Sequence, residues 1–298
     1  MAGMNAEPNT LHGSHYRSIF ISDLHLGTRG CKAEFLLDFI KYNDADNIYL
    51  VGDIIDCWRL KKSWYWVQSH NDVVQKLLRK ARKGTRVIYV PGNHDEPLRD
   101  YDGMAFGGVI IRNEIVHETA DGKRYLVVHG DAFDNVIKYA PWLAYLGDTA
   151  YSLALTINHW YNHARVRLGL QYWSLSAYLK TQVKDAVKFI SDFETAMAAE
   201  ARRHGYDGVI CGHIHKAESR MIEGIHYCND GDWVESCTAL VEHMDGRLEI
   251  VEWAANRNFS MLEPVVTDEP ELPLGEGVRE AVPEVVPEIA GVETHPAA

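Results

Sequence analysis

Three short apolar runs in the first third of the chain, 17–22, 47–51 and 85–90, each end in a cluster of Asp, Asn and His. The clusters are Asp23-Leu24-His25, Gly52-Asp53-Ile54-Ile55-Asp56 and Gly92-Asn93-His94-Asp95. Between them lie two stretches with apolar residues at helical spacing. They are 32–42, with Phe35, Leu36, Phe39 and Ile40, and 63–83, with Val67, Val74, Leu77, Leu78 and Ala81. Strand, helix, strand, helix, strand in that order predicts a parallel α/β core. It also predicts where chemistry sits, since ligands bind at the C-terminal ends of strands in such sheets.

The rest of the chain repeats the signal with an interruption. Segments 109–112, 114–118 and 124–129 read as strands, the last two joined by a turn at Asp121 and Gly122. From 135 to 203 the pattern is helical, in two or three helices with a break near Gly169. Strands resume at 207–211, 217–222, 225–228, 237–241 and 247–252. Two more clusters fall at strand ends: His129-Gly130-Asp131 and Gly212-His213-Ile214-His215. The expected division is a flexible N-terminus over 1–16, a body formed by 17–134 and 204–262, a helical cap insertion over 135–203, and a disordered tail over 263–298. The tail is acidic, lacks aromatics and holds six of the ten prolines.

Charge and cysteines narrow the partners. The net charge is −12, of which the tail carries −8. Nonspecific nucleic-acid binding needs clustered Lys and Arg, so this balance argues against it. The five cysteines form no C-x-x-C pair and read as reduced thiols of a cytoplasmic protein. No run of eighteen apolar residues exists, and the first fifteen residues show no secretory leader.

The five clusters mix carboxylate or amide oxygen with imidazole nitrogen and contain no thiolate. Such a donor set suits Mn²⁺, Fe or Zn²⁺ better than Ca²⁺ or a structural zinc site. In D-x-H and H-x-H, residues two apart on an extended strand share a face, so each pair is expected to present two ligands to one region. Glycines at 52, 92, 130 and 212 permit tight turns and close approach. Histidines 70, 117, 159, 163, 204, 226 and 243 belong to no cluster and read as structural or surface residues. Asp131, Asp134, Asn229 and Asp230 read as turn formers.

The ordered set D-x-H, GD-x-x-D, GNHD, H-G and G-H-x-H resembles the calcineurin-like metallophosphoesterase family, from Asp23 to His215. The resemblance implies two mixed sheets packed face to face, flanked by helices. It implies two divalent ions, Mn²⁺ first and Fe or Zn²⁺ as alternatives. Asp23, His25 and His215 would hold one ion, Asn93, His129 and His213 the other, and Asp53 would bridge them. His94 would stand beside the ions and stabilise the phosphate or protonate the leaving oxygen, with Asp95 orienting it. Asp56 would shape its loop. Two ions of this kind cancel phosphate charge and acidify water, and a histidine titrates in the right range to deliver a proton.

Within that family, ISDLHLG, GDIIDCW and the helical insertion before GHIH are similar to UDP-2,3-diacylglucosamine diphosphatases. That group acts in lipid A assembly at the cytoplasmic face of the inner membrane, and its insertion receives acyl chains. The chain here departs from it at His94, where that group typically carries Arg. The expected substrate is therefore a phosphorylated lipid or small molecule, with peripheral membrane contact in the lipid case. A soluble enzyme acting on a nucleotide, phosphoprotein or other phosphoester is the alternative. The insertion is rich in Trp and Tyr and carries Arg165, Arg167 and Lys180 as candidate contacts to a second phosphate or a headgroup.

Overall fold

The computed structural model describes residues 13–136 and 175–254. In the first half the strands are β1 (Ser14–Ile21), β2 (Asn43–Val51), β3 (Arg86–Val90), β4 (Ala105–Phe106), β5 (Val109–Ile111), β6 (Ile115–Glu118) and β7 (Arg124–Val127). In the second they are β8 (Gly208–Cys211), β9 (Glu218–Ile222), β10 (Ile225–Asn229), β11 (Thr238–Glu242) and β12 (Leu248–Glu252). The helices are α1 (Ala33–Tyr42), α2 (Cys57–Lys62), α3 (Gln68–Arg82) and α4 (Leu175–Arg203).

They form two mixed sheets. One has seven strands in the order β12-β11-β1-β2-β3-β5-β4, the other five in the order β6-β7-β8-β10-β9. β1, β2, β3 and β5 run parallel, as the alternating pattern predicts, and β7, β8 and β10 form a second parallel set. Strand alternation then sorts the side chains. Phe20, Tyr49, Val51, Ile88 and Val90 point from the larger sheet toward Tyr125, Val127, Ile210 and Cys228 of the smaller one. Their neighbours Ile19, Ile21, Ile48, Leu50, Val87 and Tyr89 point the other way, against Leu36, Phe39, Val73 and Leu77 of α1 and α3. On the outer face of the smaller sheet, Leu126, Val209, Cys211 and Tyr227 meet Phe193, Met197, Ala198 and Ala201 of α4. The central strands such as β3 and β8 are apolar on both faces because both sides of their sheets are covered there.

One buried polar network joins the sheets. Glu242, at the end of β11, is fully buried. Its carboxylate accepts from Arg17 Nη1 at 2.7 and 2.9 Å, Ser18 Oγ at 2.8 Å and the Ala120 amide at 2.9 Å. His117 of β6 lies at 2.9 Å through Nε2, while its Nδ1 meets Tyr49 Oη at 2.9 Å.

Four expectations need correction. β1 begins at Ser14, so residues 14–16 are strand paired with Asn43–Ala45 rather than part of a flexible terminus. The helix expected over 63–83 begins only at Gln68, because Ser63 and Val67 have extended backbone. Val67, expected to open the apolar stripe, is the extended residue before that helix and is 36% exposed. The helical segment expected as a cap to 203 is in part a component of the body, since Phe189, Phe193, Met197, Ala198 and Ala201 are buried. The earlier part of that insertion, with Arg165 and Arg167, lies outside the described residues, as does the acidic tail. Lys180 falls on α4. All five cysteines are unpaired, and no helix among the described residues is long and apolar enough to cross a membrane.

Candidate metal centre

The loops leaving β1, β2, β3, β7 and β8 meet at one end of the sheets. Two of them are zipped together by backbone hydrogen bonds, Asp23 N to Gly52 O, His25 N to Asp53 O, Leu26 N to Ile54 O and Asp56 N to Leu26 O. This register puts Asp23, His25 and Asp53 beside one another. The D-x-H and H-x-H pairs do not converge by being extended. Asp23, His25, His213 and His215 have φ of 51, 50, 73 and 52°, and Asp53 has 53°. Left-handed backbone recurs at alternate residues and turns both side chains inward. These five are most of the seven non-glycine residues with positive φ among the described residues, an accumulation that marks functional loops.

Three groups of side chains have donor atoms within 4.8 Å of one another: Asp23, His25 and His215; Asp53, His129 and His213; and His25, Asp53 and His94. Asp53 Oδ2 is central, 3.4 Å from His129 Nε2, 3.8 Å from His25 Nε2 and 3.9 Å from His94 Nε2. Asp23 Oδ1 lies 3.1 Å from His215 Nε2 and 3.9 Å from His25 Nε2. Hydrogen bonding behind the site fixes which atoms face inward. His129 Nδ1 donates to Val51 O at 2.8 Å, leaving Nε2 as the lone-pair nitrogen. His25 Nδ1 lies 3.2 Å from Asp56 Oδ2, which turns its Nε2 inward as well. Asp23 Oδ1, Asn93 Oδ1 and His129 Nε2 are buried and have no hydrogen-bond partner. Orphaned buried acceptors are rare and costly unless something coordinates them. Mixed O and N donors, aimed inward with unshared lone pairs, fit a pair of divalent cations.

The electrostatics agree. Burial opposes protonation of His129, yet the Asp53 and Asp23 carboxylates push its pKa up to about 10. Burial likewise opposes protonation of His215, and Asp23 pushes it up to about 9. Asp53 titrates below its usual range despite its burial, held there by His129. The pocket strongly favours positive charge at its centre.

The reading of Asp95 is overturned. Its buried carboxylate does not orient His94. It accepts Gly92 N at 2.5 Å, Ile54 N at 2.8 Å, Asp53 N at 3.3 Å and Tyr89 Oη at 2.5 Å. Asp95 is therefore the clamp between the GD and GNHD loops. The residue beside His94 is Asp56, whose Oδ2 lies 3.0 Å from His94 Nδ1. Asp56 also caps α2 by accepting Arg59 N at 2.8 Å, and so reaches both His25 and His94. The sequence signal was an Asp at the head of a helix, since an N-cap carboxylate reaches the amide three residues on, here that of Arg59. Asn229 and Asp230 are more than turn formers too. Asn229 Nδ2 donates to Gly212 O at 2.6 Å, and Asp230 Oδ1 lies 2.6 Å from Ser22 Oγ. No sequence pattern points to Trp58, whose ring centroid lies 4.3 Å from that of His94.

Close packing explains Gly92. A Cβ there would sit 2.3 Å from Asp53 Oδ1 and 2.6 Å from His129 Cδ2. Gly92→Ala is expected to displace Asp53 and cost roughly 1–3 kcal/mol of stability, as overpacking does. Metal analysis of the purified variant should show at least one ion lost; full metal content would show that the loop yields instead.

Residues 16–217 match the family model described as calcineurin-like phosphoesterase. A UDP-2,3-diacylglucosamine hydrolase of Chromohalobacter salexigens is 27% identical over 208 residues, covering 67% of this chain and 80% of that protein. Another, of Blochmanniella pennsylvanica, is 27% identical over 119 residues, covering 38% of this chain and 46% of that one. Among solved structures, the E. coli phosphoesterase Yfce aligns at 14% identity with a TM-score of 0.39, over 79% of this chain and 98% of that one. The two diacylglucosamine hydrolases support the group resemblance read from ISDLHLG and GDIIDCW. With that match over most of its length, and with its five motif loops gathered at one end of two facing sheets, the chain is a phosphoester or diphosphate hydrolase and belongs to the calcineurin-like phosphoesterase family.

Proposed function

We propose that the protein hydrolyses the diphosphate bond of a UDP-2,3-diacylglucosamine-like lipid precursor at a membrane surface. The names of the two relatives support the substrate class. The observation that carries the lipid part is the segment leaving the metal centre. Trp58 and Trp64 are 44% and 76% exposed and flank Arg59, Lys61 and Lys62, all exposed. From Cys57 to Asn71 there is no acidic residue, in a chain whose net charge is −12. Exposed Trp beside Lys and Arg suits the headgroup level of an anionic bilayer. This surface adjoins His94 through Trp58, so a lipid held there has its phosphates near the site.

In this reading Asp23, His25 and His215 would hold one ion, Asn93, His129 and His213 would hold the second, and Asp53 would serve both. When bound, the ions cancel phosphate charge and acidify water. The chain's own residues do the rest. Val51 O and Asp56 fix the His129 and His25 rings. Burial opposes protonation of His94, yet Asp56 and Asp53 raise its pKa above the usual imidazole value and so favour the protonated ring. The ring delivers that proton to the leaving oxygen.

The test is a comparison of three substrates on Mn²⁺-loaded protein: the diacylated nucleotide sugar in mixed micelles, its unacylated counterpart, and a small aryl diester. The lipid should exceed both others in kcat/KM by roughly a hundredfold or more. Equal or faster turnover of the unacylated substrate would establish the second reading, a soluble phosphoesterase, which His94 in place of Arg favours.

A further inference from the structure

Ser22 Oγ lies 2.6 Å from Asp23 Oδ2 and 2.6 Å from Asp230 Oδ1, with the Gly231 carbonyl oxygen farther away at 3.1 Å. A serine hydroxyl has one hydrogen to donate. Two ionised carboxylates cannot both face it at that distance, because one of the two contacts would join bare oxygens. One of the carboxyls therefore carries a proton.

The surroundings decide which. Asp23 Oδ2 also accepts the His213 amide at 2.9 Å, and its Oδ1 lies among His215 and His25. That environment keeps Asp23 ionised. Asp230 is fully buried, its Oδ2 has no hydrogen-bond partner, and it makes no ion pair among the described residues. An unmatched oxygen costs far less on a neutral acid than on a carboxylate. We infer that Asp230 is the positioning residue for Asp23, standing as a neutral acid that donates its proton to Ser22, which in turn donates to Asp23 Oδ2.

The relay runs Asp230 to Ser22 to Asp23, and it is held rigidly. Asp230 N donates to Cys211 O at 3.0 Å and Thr238 Oγ1 donates to Asp230 O at 2.8 Å. A Cβ on Gly212 would sit 2.2 Å from Ser22 Oγ, so the cluster has no slack. Burial raises the pKa of Asp230 well above the usual carboxylate range, in keeping with the hydrogen count. The effect on Asp23 is directional. With Oδ2 taken by Ser22 and the His213 amide, Oδ1 is left as the atom for a cation. The same strand end anchors Gly212 through Asn229, so one turn sets both Asp23 and the GHIH loop.

The inference rests on the metal-centre reading above, and the test separates the two. Calorimetric titration with Mn²⁺ alone is combined with infrared spectroscopy of the metal-free protein at neutral pH. Asp230→Asn replaces the acid O–H with an amide N–H, and should keep Mn²⁺ affinity within about threefold, while Asp230→Ala and Ser22→Ala should each weaken it about 10–100-fold. The double Ala variant should be no worse than the worse single one, because both break the same relay. The infrared spectrum should show the C=O stretch of a buried protonated carboxyl, absent in Asp230→Asn. A protein that binds Mn²⁺ but lacks that band overturns the assignment of Asp230. So does an Asp230→Asn variant as weak as Asp230→Ala, or additive loss in the double variant. A wild-type chain that binds no Mn²⁺ overturns the metal-centre reading itself.

Discussion

Asp53→Ala should strip the protein of most of its bound metal and nearly all of its activity, whereas His94→Ala should keep the metal and lose turnover. Asp53 Oδ2 is the one carboxylate oxygen within 4 Å of His25, His94 and His129 together. Its removal leaves two imidazole sets with no shared anion between them. The loss should exceed the roughly 10–100-fold expected from residues that only orient ligands. His94 also has a donor within reach of Asp53 and His25, so the geometry alone permits it to be a ligand. Mass-spectrometric metal counting separates the two roles. If His94 only carries a proton, its removal costs about 10²–10⁴ in kcat at unchanged stoichiometry. An emptied site in His94→Ala would make it a ligand and reverse the assignment.

Glu242→Ala is expected to be the most destabilising single change away from the centre. It removes a fully buried acceptor and strands Arg17, His117, Ser18 and the Ala120 amide. Breaking one side of a buried charged network costs roughly 3–5 kcal/mol. For a chain of this size each kcal/mol lowers Tm by about 2–4 °C, so a loss on the order of 10 °C should appear in a thermal melt. The pH dependence follows in sign. Burial would raise the Glu242 pKa, yet His117 and Ser18 hold it below the ordinary 4.5. Its ionised form therefore contributes stability that is present above about 4.5 and is lost as pH falls through the lower folded-state value. Glu242→Gln should melt lower than wild type at pH 7, and the gap should narrow in acid. A gap independent of pH would mean that the charge of Glu242 contributes nothing.

Much of this architecture was legible because period and punctuation coincide. Apolar runs such as Ile19-Phe20-Ile21 end directly at Asp23, and the parallel order of β1, β2 and β3 follows from the helices between them. What stayed hidden depends on contacts between distant loops. Asp95 follows His94 directly and so looks like its partner, but the turn swings its carboxylate back onto the amides of Gly92 and Ile54. Asp56 stands far from His94 in sequence and close in space. Asp230 resembles any turn Asp until its distance to Ser22 is known. Apolar spacing misled the reading of the 63–67 segment, because Val67 fits the stripe of Val74, Leu77, Leu78 and Ala81 and yet has extended backbone just before the helix begins at Gln68.

The left-handed residues of the ligand loops carry a consequence for anyone improving this protein. Each of Asp23, His25, Asp53, His213 and His215 occupies backbone that glycine adopts freely and other residues adopt at roughly 1 kcal/mol or more. At these positions glycine relieves the strain, and at Asp23 and Asp53 it also removes the repulsion between two crowded carboxylates. Selection for heat resistance alone would thus drift toward glycine where the chemistry resides, giving hardier and inert descendants. Directed evolution of a thermostable form should score hydrolysis and melting together from the first round, or leave these five codons out of the library.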